Sequence, residues 1–144
     1  MNSAIERLLS LRAADVMQRN VMTVLADSTM KDAAKQLLKN HVSGVPVIDR
    51  LAECVGILSA VDFVRRDSQL TRCGDQNANT QDLVRTYMSS SVWSINSEAT
   101  LIDAARLMCE KHVHRLPILD RSRRTVGFIS ALDVVAAMVH AVEE

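Results

Sequence analysis

The stretch HVSGVPVID at residues 41–49 recurs as HVHRLPILD at residues 112–120, and these two copies decide the fold. An offset of 71 positions (112 minus 41) aligns residues 14–64 with residues 85–135 without a gap. A match of this length indicates an internal repeat. Because a unit of half this chain is marginally stable alone, each repeat is expected to pack against its twin.

Each repeat predicts the same order of elements, β-α-β-β-α. A β-rich run opens the repeat, and a helix follows at a T-x-x-D capping box that satisfies amide donors of its first turn. Two short apolar strands then flank a polar turn, and a second helix closes the unit. The first strands are predicted at 21–24 and 92–95, the capping boxes at Thr29 to Asp32 and Thr100 to Asp103, and the paired strands at 45–48, 55–58, 116–119 and 126–129.

The segment from Asp67 to Asp82 differs in composition from both repeats. It is rich in Ser, Gln, Asn, Thr and Gly, which predicts a linker with at most a loose helical turn. Apolar residues at helical spacing flank the repeats and indicate helices with faces free for a partner. The predicted organisation is an N-terminal helix at 1–13, repeat 1 at 14–66, the linker at 67–83, repeat 2 at 84–137 and the end of a C-terminal helix at 138–144.

The bulk composition argues against several classes of protein. Of 144 residues, 48% are hydrophobic and 3% aromatic, as in an ordinary soluble globular protein. The 17 basic and 17 acidic side chains cancel, which removes the positive field that a nucleic acid or an anionic membrane requires. Cys54, Cys73 and Cys109 are widely spaced, which argues against a zinc site and for a reducing cytoplasm. Without a membrane-span or signal-peptide pattern, a cytoplasmic protein with no metal is expected.

Two ordered strings in each repeat carry a family resemblance. The h-P-h-h-D strand, where h is apolar, is followed by G-h-h-S-x-x-D, which reads GILSAVD at 56–62 and GFISALD at 127–133. In this order and number the strings resemble the CBS domain family, named for cystathionine β-synthase, over nearly the whole chain. The resemblance implies an α+β fold of tandem βαββα repeats. It further implies two three-stranded sheets packed about a pseudo-two-fold axis, with flanking helices.

The resemblance also implies a function. Family members bind AMP, ADP, ATP or S-adenosylmethionine and regulate an attached or separate protein. This chain is therefore expected to be a stand-alone tandem pair, or Bateman module, that senses an adenine nucleotide, forms a homodimer and controls a separate partner. It is not expected to be an enzyme, because no motif places a group to activate its cysteines. The alternative is a ligand-independent dimerisation or protein-interaction module.

The serine and the aspartate of the second string suit a nucleoside phosphate. A helix that starts after Ser59 presents unpaired amides and a positive dipole end, which favour phosphate. The ionised carboxylate of Asp62 accepts hydrogen bonds only, which suits the two hydroxyls of a ribose. The alternative is that Ser59 and Asp62 form another capping box, and both roles can hold together.

A first ligand site is predicted from the helix start of repeat 1 with the first strand and the pre-proline loop of repeat 2, as the resemblance implies. Arg115 offers a fork of donors to phosphate and His114 a ring N–H, while Arg85 stands where some members place a further base. Trp93 offers a ring either for stacking on the base or for core packing. The first-site residues are Ile57, Ser59, Val61, Asp62, Arg85, Val92, Trp93, Val113, His114 and Arg115.

A second, weaker site follows from the pseudo-symmetry. Ser43 and Gly44 stand where the first site has His114 and Arg115, so polyphosphate should bind less well and the module should be asymmetric. The second-site residues are Val21, Met22, Val42, Ser43, Gly44, Phe128, Ser130, Leu132 and Asp133.

Overall fold

The computed structural model describes residues 3–73 and 82–143, and the chain divides into two compact units. Unit 1 comprises Met1–Val21 and Trp93–Glu144, and unit 2 comprises Met22–Val92. Each unit therefore combines most of one sequence repeat with the first residues of the other repeat.

The helices and strands of the described residues follow the repeat. In chain order they are α1 (Ser3–Ser10), α2 (Ala13–Val16), β1 (Val24–Leu25), α3 (Met30–Lys39), β2 (Gly44–Ile48), β3 (Cys54–Ser59), α4 (Ala60–Cys73), α5 (Val84–Tyr87), α6 (Leu101–Lys111), β4 (Arg115–Leu119), β5 (Thr125–Ser130) and α7 (Ala131–Glu143).

The sheet of unit 2 has the strand order β1-β2-β3, with β1 parallel and β3 antiparallel to β2. Pairing continues beyond β3, because Ile57 and Ser89 exchange both backbone hydrogen bonds at 2.9 Å. Side chains of a strand alternate between the two faces of its sheet. Buried Val47 and Leu58 pack on the face that α3 covers, which leaves Ile57 and Ser59 on the opposite face.

The sheet of unit 1 consists of antiparallel β4 and β5. Phe128 exchanges two backbone hydrogen bonds with Gln18 at 2.9 and 3.0 Å, as Ile57 does with Ser89 in unit 2. Buried Leu116 and Ile129 pack with the buried face of α6, so the core of unit 1 is built like that of unit 2.

The first strand of each repeat is shorter than predicted. Instead of 21–24, β1 is limited to Val24–Leu25, and the predicted strand at 92–95 is a single parallel bridge at Ile95. Among the described residues the second sheet therefore has two strands, and the expectation of three is wrong. The amide of Ile95 reaches the carbonyl of Pro117 only at 3.4 Å, a long bond in a parallel pairing that is less stable per residue than an antiparallel one.

The second helix of repeat 1 is longer than its composition predicts. It continues to Cys73, so the expectation of at most a loose turn from Asp67 onward is wrong over this stretch. No Pro or Gly interrupts the helix here. The guanidinium of Arg66 donates to both oxygens of Asp82 at 2.5 and 2.6 Å, and this hydrogen bonding raises the pKa of Arg66. The rest of the predicted linker, residues 74–81, lies outside the described residues.

Each unit packs a methionine of the other repeat against a strand glycine. A Cβ on Gly56 would lie 2.5 Å from Sδ of Met88 and 2.8 Å from the carbonyl oxygen of Ser89. In unit 1, Met17 packs against Gly127 in the same way. The glycine of the G-h-h-S string is therefore required by close approach of a neighbouring segment.

The helices that flank the repeats both belong to unit 1. Helix α1 packs against α7, while several apolar side chains of α7 remain exposed. No helix within residues 3–73 and 82–143 has the length and apolar character needed to cross a membrane.

Candidate functional site

In unit 1 a strand runs directly into a helix at a serine. The amide of Ser130 donates to Oδ2 of Asp133 at 2.9 Å, and the amide of Asp133 donates to Oγ of Ser130 at 3.1 Å. This reciprocal capping box fixes the first turn of α7. The turn presents a hydroxyl, a carboxylate and the positive end of the helix dipole together.

The pre-proline loop of repeat 2 lies beside this turn. Arg115 is the register partner of Ser130, and the amide of Ala131 donates to the carbonyl of His114 at 2.8 Å. Directly opposed residues of an antiparallel pair project from the same face of the sheet. Arg115 and Ser130 therefore share one face of the sheet, opposite to the buried face of Leu116. A guanidinium, a hydroxyl and a helix start in this arrangement suit an anion such as phosphate.

The corresponding turn of unit 2 carries a buried carboxylate. Asp62 is 4% exposed, its Oδ2 accepts the amide of Ser59 at 2.8 Å, and its Oδ1 accepts a guanidinium N–H of Arg65 at 3.0 Å. A capping contact between Ser59 and Asp62 is therefore present. An ionised carboxylate has about four acceptor positions, so Asp62 retains capacity for a ligand hydroxyl.

The loop beside this second turn lacks counterparts of His114 and Arg115. Gly44 is the register partner of Ser59, and the amide of Ala60 donates to the carbonyl of Ser43 at 3.0 Å. The backbone geometry repeats that of unit 1. The chemistry differs, because Ser43 and Gly44 replace a histidine and an arginine.

The units divide the sequence-predicted sites differently from the sequence assignment. The first-site residue Arg115 lies in unit 1, where its register partner is Ser130, a residue of the predicted second site. Unit 2 holds first-site residues Ile57, Ser59, Val61, Asp62, Arg85 and Val92 with second-site residues Met22, Val42, Ser43 and Gly44, and unit 1 holds Trp93, Val113, His114 and Arg115 with Val21, Phe128, Ser130, Leu132 and Asp133.

Arg85 does not lie with the Ser59 turn. Its amide donates to the carbonyl of Ala26 at 3.0 Å, and its guanidinium pairs with Asp27. The amide of Ala26 in turn donates to the carbonyl of Ile48, which is the last residue of β2. Ser59 instead pairs with Gly44, the first residue of β2. Four residue steps along a strand span about 13 Å. The assignment of Arg85 to the first site therefore has no support within unit 2.

The apolar residues assigned to the two sites differ in exposure. Val61 and Leu132 are 62% and 74% exposed, so each presents its side chain at the surface of its own unit. Trp93 is 42% exposed, and the ammonium of Lys111 lies 4.2 Å from the centroid of its ring. Partial exposure shows that Trp93 is not a fully packed core residue.

The sequence reasoning missed two cations beside these groups. Arg65 could have been found, because it follows Asp62 by three positions on a helix, where opposite charges meet. Lys111 could not, because its contact with Trp93 joins a helix end to a segment 18 positions earlier (111 minus 93).

The two units define a class of protein, namely a tandem α+β repeat in which each copy presents a serine and an aspartate at a helix start. The chain belongs to the CBS domain family, because the family model for the CBS domain matches residues 13–68 and 84–140. The family and the α+β fold predicted from the sequence are thereby confirmed.

Relatives and solved structures agree with this membership. The chain is 31% identical over 120 residues to the CBS domain-containing protein YhcV of Bacillus subtilis, covering 83% of this chain and 80% of the relative. It resembles CBSX2, a CBS-pair protein of Arabidopsis thaliana, in the crystal structure with AMP. That likeness has a TM-score of 0.80 and 26% identity, and covers 94% of this chain and 100% of the other.

A third likeness concerns the fold alone. The CBS domain pair of protein MJ0100, crystallised with 5-methylthioadenosine and S-adenosyl-L-methionine, is 20% identical with a TM-score of 0.75, covering 87% of this chain and 97% of the other. Some relatives are longer than this chain. Two curated relatives from Methanocaldococcus jannaschii are 27% and 26% identical to it, and the chain spans 45% and 39% of their lengths.

Proposed function

We propose that this chain is a regulatory module that binds an adenine nucleotide, with AMP as the first candidate, and controls a separate partner protein. The observation that carries the proposal is the position of Arg115 beside Ser130 at the start of α7. Family membership supports it, as does the likeness to CBSX2, whose structure holds AMP. ADP, ATP and S-adenosylmethionine are further candidate ligands.

The phosphate of the nucleotide is proposed to bind at the unit 1 turn. Arg115 donates a charge-assisted pair of hydrogen bonds, Ser130 adds a hydroxyl, and the amide end of α7 adds the helix dipole. His114 contributes a ring N–H from the same loop. Each charge-assisted hydrogen bond contributes about 1.5–3 kcal/mol.

The ribose is proposed to bind a carboxylate through its two hydroxyls. Asp62 is the carboxylate that the sequence assigns to the ribose, and in unit 1 Asp133 is the carboxylate that caps the turn at Ser130. Both cap a helix, and both retain acceptor positions. Asp62→Asn and Asp133→Asn decide between the two carboxylates. Substitution of the one that binds the ribose should lower the affinities for AMP and for adenosine by the same factor.

The proposed module is asymmetric. The turn at Ser59 has Ser43 and Gly44 where the turn at Ser130 has His114 and Arg115, so nucleotide phosphate loses its basic partners there. We expect one tight site and one weak or empty site for AMP in calorimetry, and two sites of equal affinity would contradict this.

Calorimetric titration with AMP tests the phosphate assignment. Arg115→Ala should weaken AMP binding at least about tenfold, because a charge-assisted hydrogen bond is lost. Arg121→Ala is the matched control, since this arginine lies in the turn after β4, at the other end of the strand. Unchanged AMP affinity in Arg115→Ala, or an equal loss in both variants, would overturn the assignment.

The proposed role is regulatory rather than catalytic, and the proposed location is the cytoplasm. Cys54 is buried and its Sγ lies 3.6 Å from the carbonyl of Gly56, while Cys109 is exposed on α6. Over the described residues no group of three His, Cys, Asp or Glu side chains is placed to hold a metal ion. The groups at both turns are of the kind that binds and orients a ligand.

A second candidate function is an interaction module, and the surface of α7 favours it. Val135, Val139 and Val142 are 51%, 48% and 75% exposed, and with Leu132 they form an apolar stripe at spacings of three and four. Such a stripe is typical of a helix that packs against another helix. We propose that the stripe pairs with a second copy of this chain, so that the module is a homodimer.

A further inference from the structure

The turn between β4 and β5 carries three arginines in four positions. Arg121, Arg123 and Arg124 are all exposed, and no ion pair joins any of them to a carboxylate within residues 3–73 and 82–143. The 17 basic and 17 acidic residues of the whole chain cancel, so positive charge is concentrated locally at this turn. Because like charges this close repel one another, the cluster does not stabilise the turn that carries it.

Asp120 fixes the backbone of this turn. Its Oδ1 accepts the amide of Ser122 at 2.8 Å and the amide of Arg124 at 3.0 Å. Arg123 has a φ of 63°, in the left-handed region that favours glycine. The backbone conformation therefore does not account for an arginine at this position.

The corresponding turn of unit 2 lacks this charge. At the offset of 71 positions (124 minus 53), Ala52 and Glu53 stand in place of the second and third arginines. Ala52 has a φ of 65°, so the two turns share this backbone conformation. Arg50, which corresponds to Arg121, pairs with Asp27 at 3.6 Å. The concentrated positive charge is therefore a property of unit 1 and not of the repeat.

An open depression of about 810 Å³ lies beside the arginine turn, and all its lining residues belong to unit 1. The amide of Leu119 donates to the carbonyl of Ile95 at 3.1 Å, so the segment after Ile95 runs beside the end of β4 and lines the depression. The lining includes three apolar side chains, two guanidiniums and one carboxylate, namely those of Met17, Leu119, Val126, Arg19, Arg121 and Glu98. The depression thus offers apolar surface together with two positive charges.

We infer that the arginine surface, which comprises Arg121, Arg123, Arg124 and this depression, is the docking site for an acidic segment of the regulated partner protein. The inference rests on the part of the proposed function that gives the module a separate partner. Guanidinium groups pair with carboxylates through two parallel hydrogen bonds. An apolar side chain of the same segment packs on Val126, which is 37% exposed.

A protein segment suits this surface better than a nucleic acid does. The carboxylate of Glu98 lines the same depression and repels a continuous row of phosphates. A peptide can alternate carboxylates with apolar side chains and so avoid that repulsion. The surface also lies at the end of β4 opposite to Arg115, so the segment and AMP do not compete.

Fluorescence anisotropy with a fluorescein-labelled peptide, in which one leucine stands among glutamates, tests the inference. The unaltered protein should bind this peptide saturably. A triple variant with Arg121→Ala, Arg123→Ala and Arg124→Ala should bind it at least about tenfold more weakly, the factor of one lost charge-assisted hydrogen bond. Replacing the leucine of the peptide by glutamine should weaken binding several-fold, because less apolar surface is buried.

A second triple variant controls for net charge. Lys31→Ala, Lys35→Ala and Lys39→Ala remove three exposed positive charges from α3, and none of these lysines belongs to the turn or lines the depression. This variant should keep the peptide affinity within about threefold. Equal losses in the two triple variants, or no saturable binding by the unaltered protein, would overturn the inference. Equal affinity for the leucine and glutamine peptides would remove the depression from the site.

Two further measurements separate this inference from its alternatives. A DNA oligonucleotide of the same negative charge should bind more weakly than the peptide, and tighter binding would overturn the assignment to a protein partner. Calorimetry should give the arginine triple variant an unchanged AMP affinity, which also shows that it folds. If the unaltered protein binds AMP but not the peptide, this inference fails and the nucleotide proposal stands. If it binds the peptide but not AMP, the nucleotide proposal alone fails.

Discussion

At the scale of single residues, Asp62 has a structural and a proposed ligand-binding role that one substitution separates. Asp62→Ala removes the acceptor of the Ser59 amide and the partner of Arg65, and should cost about 1–2 kcal/mol of unfolding free energy. If Asp62 also binds the ribose, AMP affinity falls in addition, because two hydroxyl donors lose their acceptor. Chemical denaturation and calorimetry measure the two effects.

A matched capping position supplies the control for Asp62. Asp15 occupies the corresponding place at the start of α2, where its Oδ2 accepts the amide of Arg12 at 2.8 Å. Asp15→Ala should lower the unfolding free energy modestly and leave AMP affinity unchanged. If Asp62→Ala behaves like Asp15→Ala in both measurements, Asp62 is a cap alone.

The capping residues of the turns could be predicted from sequence, but the neighbours of Arg115 and Lys111 within unit 1 could not. The G-h-h-S-x-x-D string gave Ser59 and Asp62 the correct local geometry, because capping depends on neighbours within four positions. The contacts of Arg115 and Lys111 depend on strand register and on a helix end, which spacing along the chain does not encode.

At the scale of elements, the edge of β3 depends on a glycine that leaves room for Met88. Gly56→Ala places a Cβ 2.5 Å from Sδ of Met88 and 2.8 Å from the backbone oxygen of Ser89. Overpacking of this kind costs about 1–3 kcal/mol, so Tm should fall by several degrees. Differential scanning calorimetry measures the change.

A double variant tests the origin of that cost. Met88→Ala removes the flexible part of the contact, so Gly56→Ala should cost less in a Met88→Ala background than alone. Strict additivity of the two substitutions would show that Met88 is not the obstacle.

Helix starts were easier to predict than the first strands. Thr29 and Thr100 accept amide hydrogen bonds as the capping boxes require, because such a contact is local. The strand expected at 92–95 forms only the bridge at Ile95, since a parallel edge segment depends on a partner far along the chain. The polar composition from Asp67 onward predicts a linker and does not reveal that α4 continues to Cys73.

At the scale of the whole molecule, the exchange of first segments between the repeats was not visible in sequence. An offset of 71 positions (112 minus 41) aligns Met17 with Met88, but it does not tell which copy each methionine packs against. The structure places Met17 on Gly127 and Met88 on Gly56, so neither repeat completes its own unit. We therefore expect an isolated repeat to be unstable.

The proposed homodimer also belongs to this scale. Val139→Glu places a charge in the middle of the exposed stripe of α7 and should shift the protein from dimer toward monomer in analytical ultracentrifugation. Lys35→Glu, an exposed change on α3, is the control and should leave the mass unchanged. A dimer of equal affinity in Val139→Glu would place the interface elsewhere.

The most direct test of the central claim is a titration of 15N-labelled protein with AMP, followed by amide and indole chemical shifts. We predict saturable shifts at Arg115 and Ser130, and at the indole N–H of Trp93. Saturation without any shift at Arg115 and Ser130, or no shift anywhere at millimolar AMP, would contradict the claim that the turn at the start of α7 binds the phosphate of an adenine nucleotide.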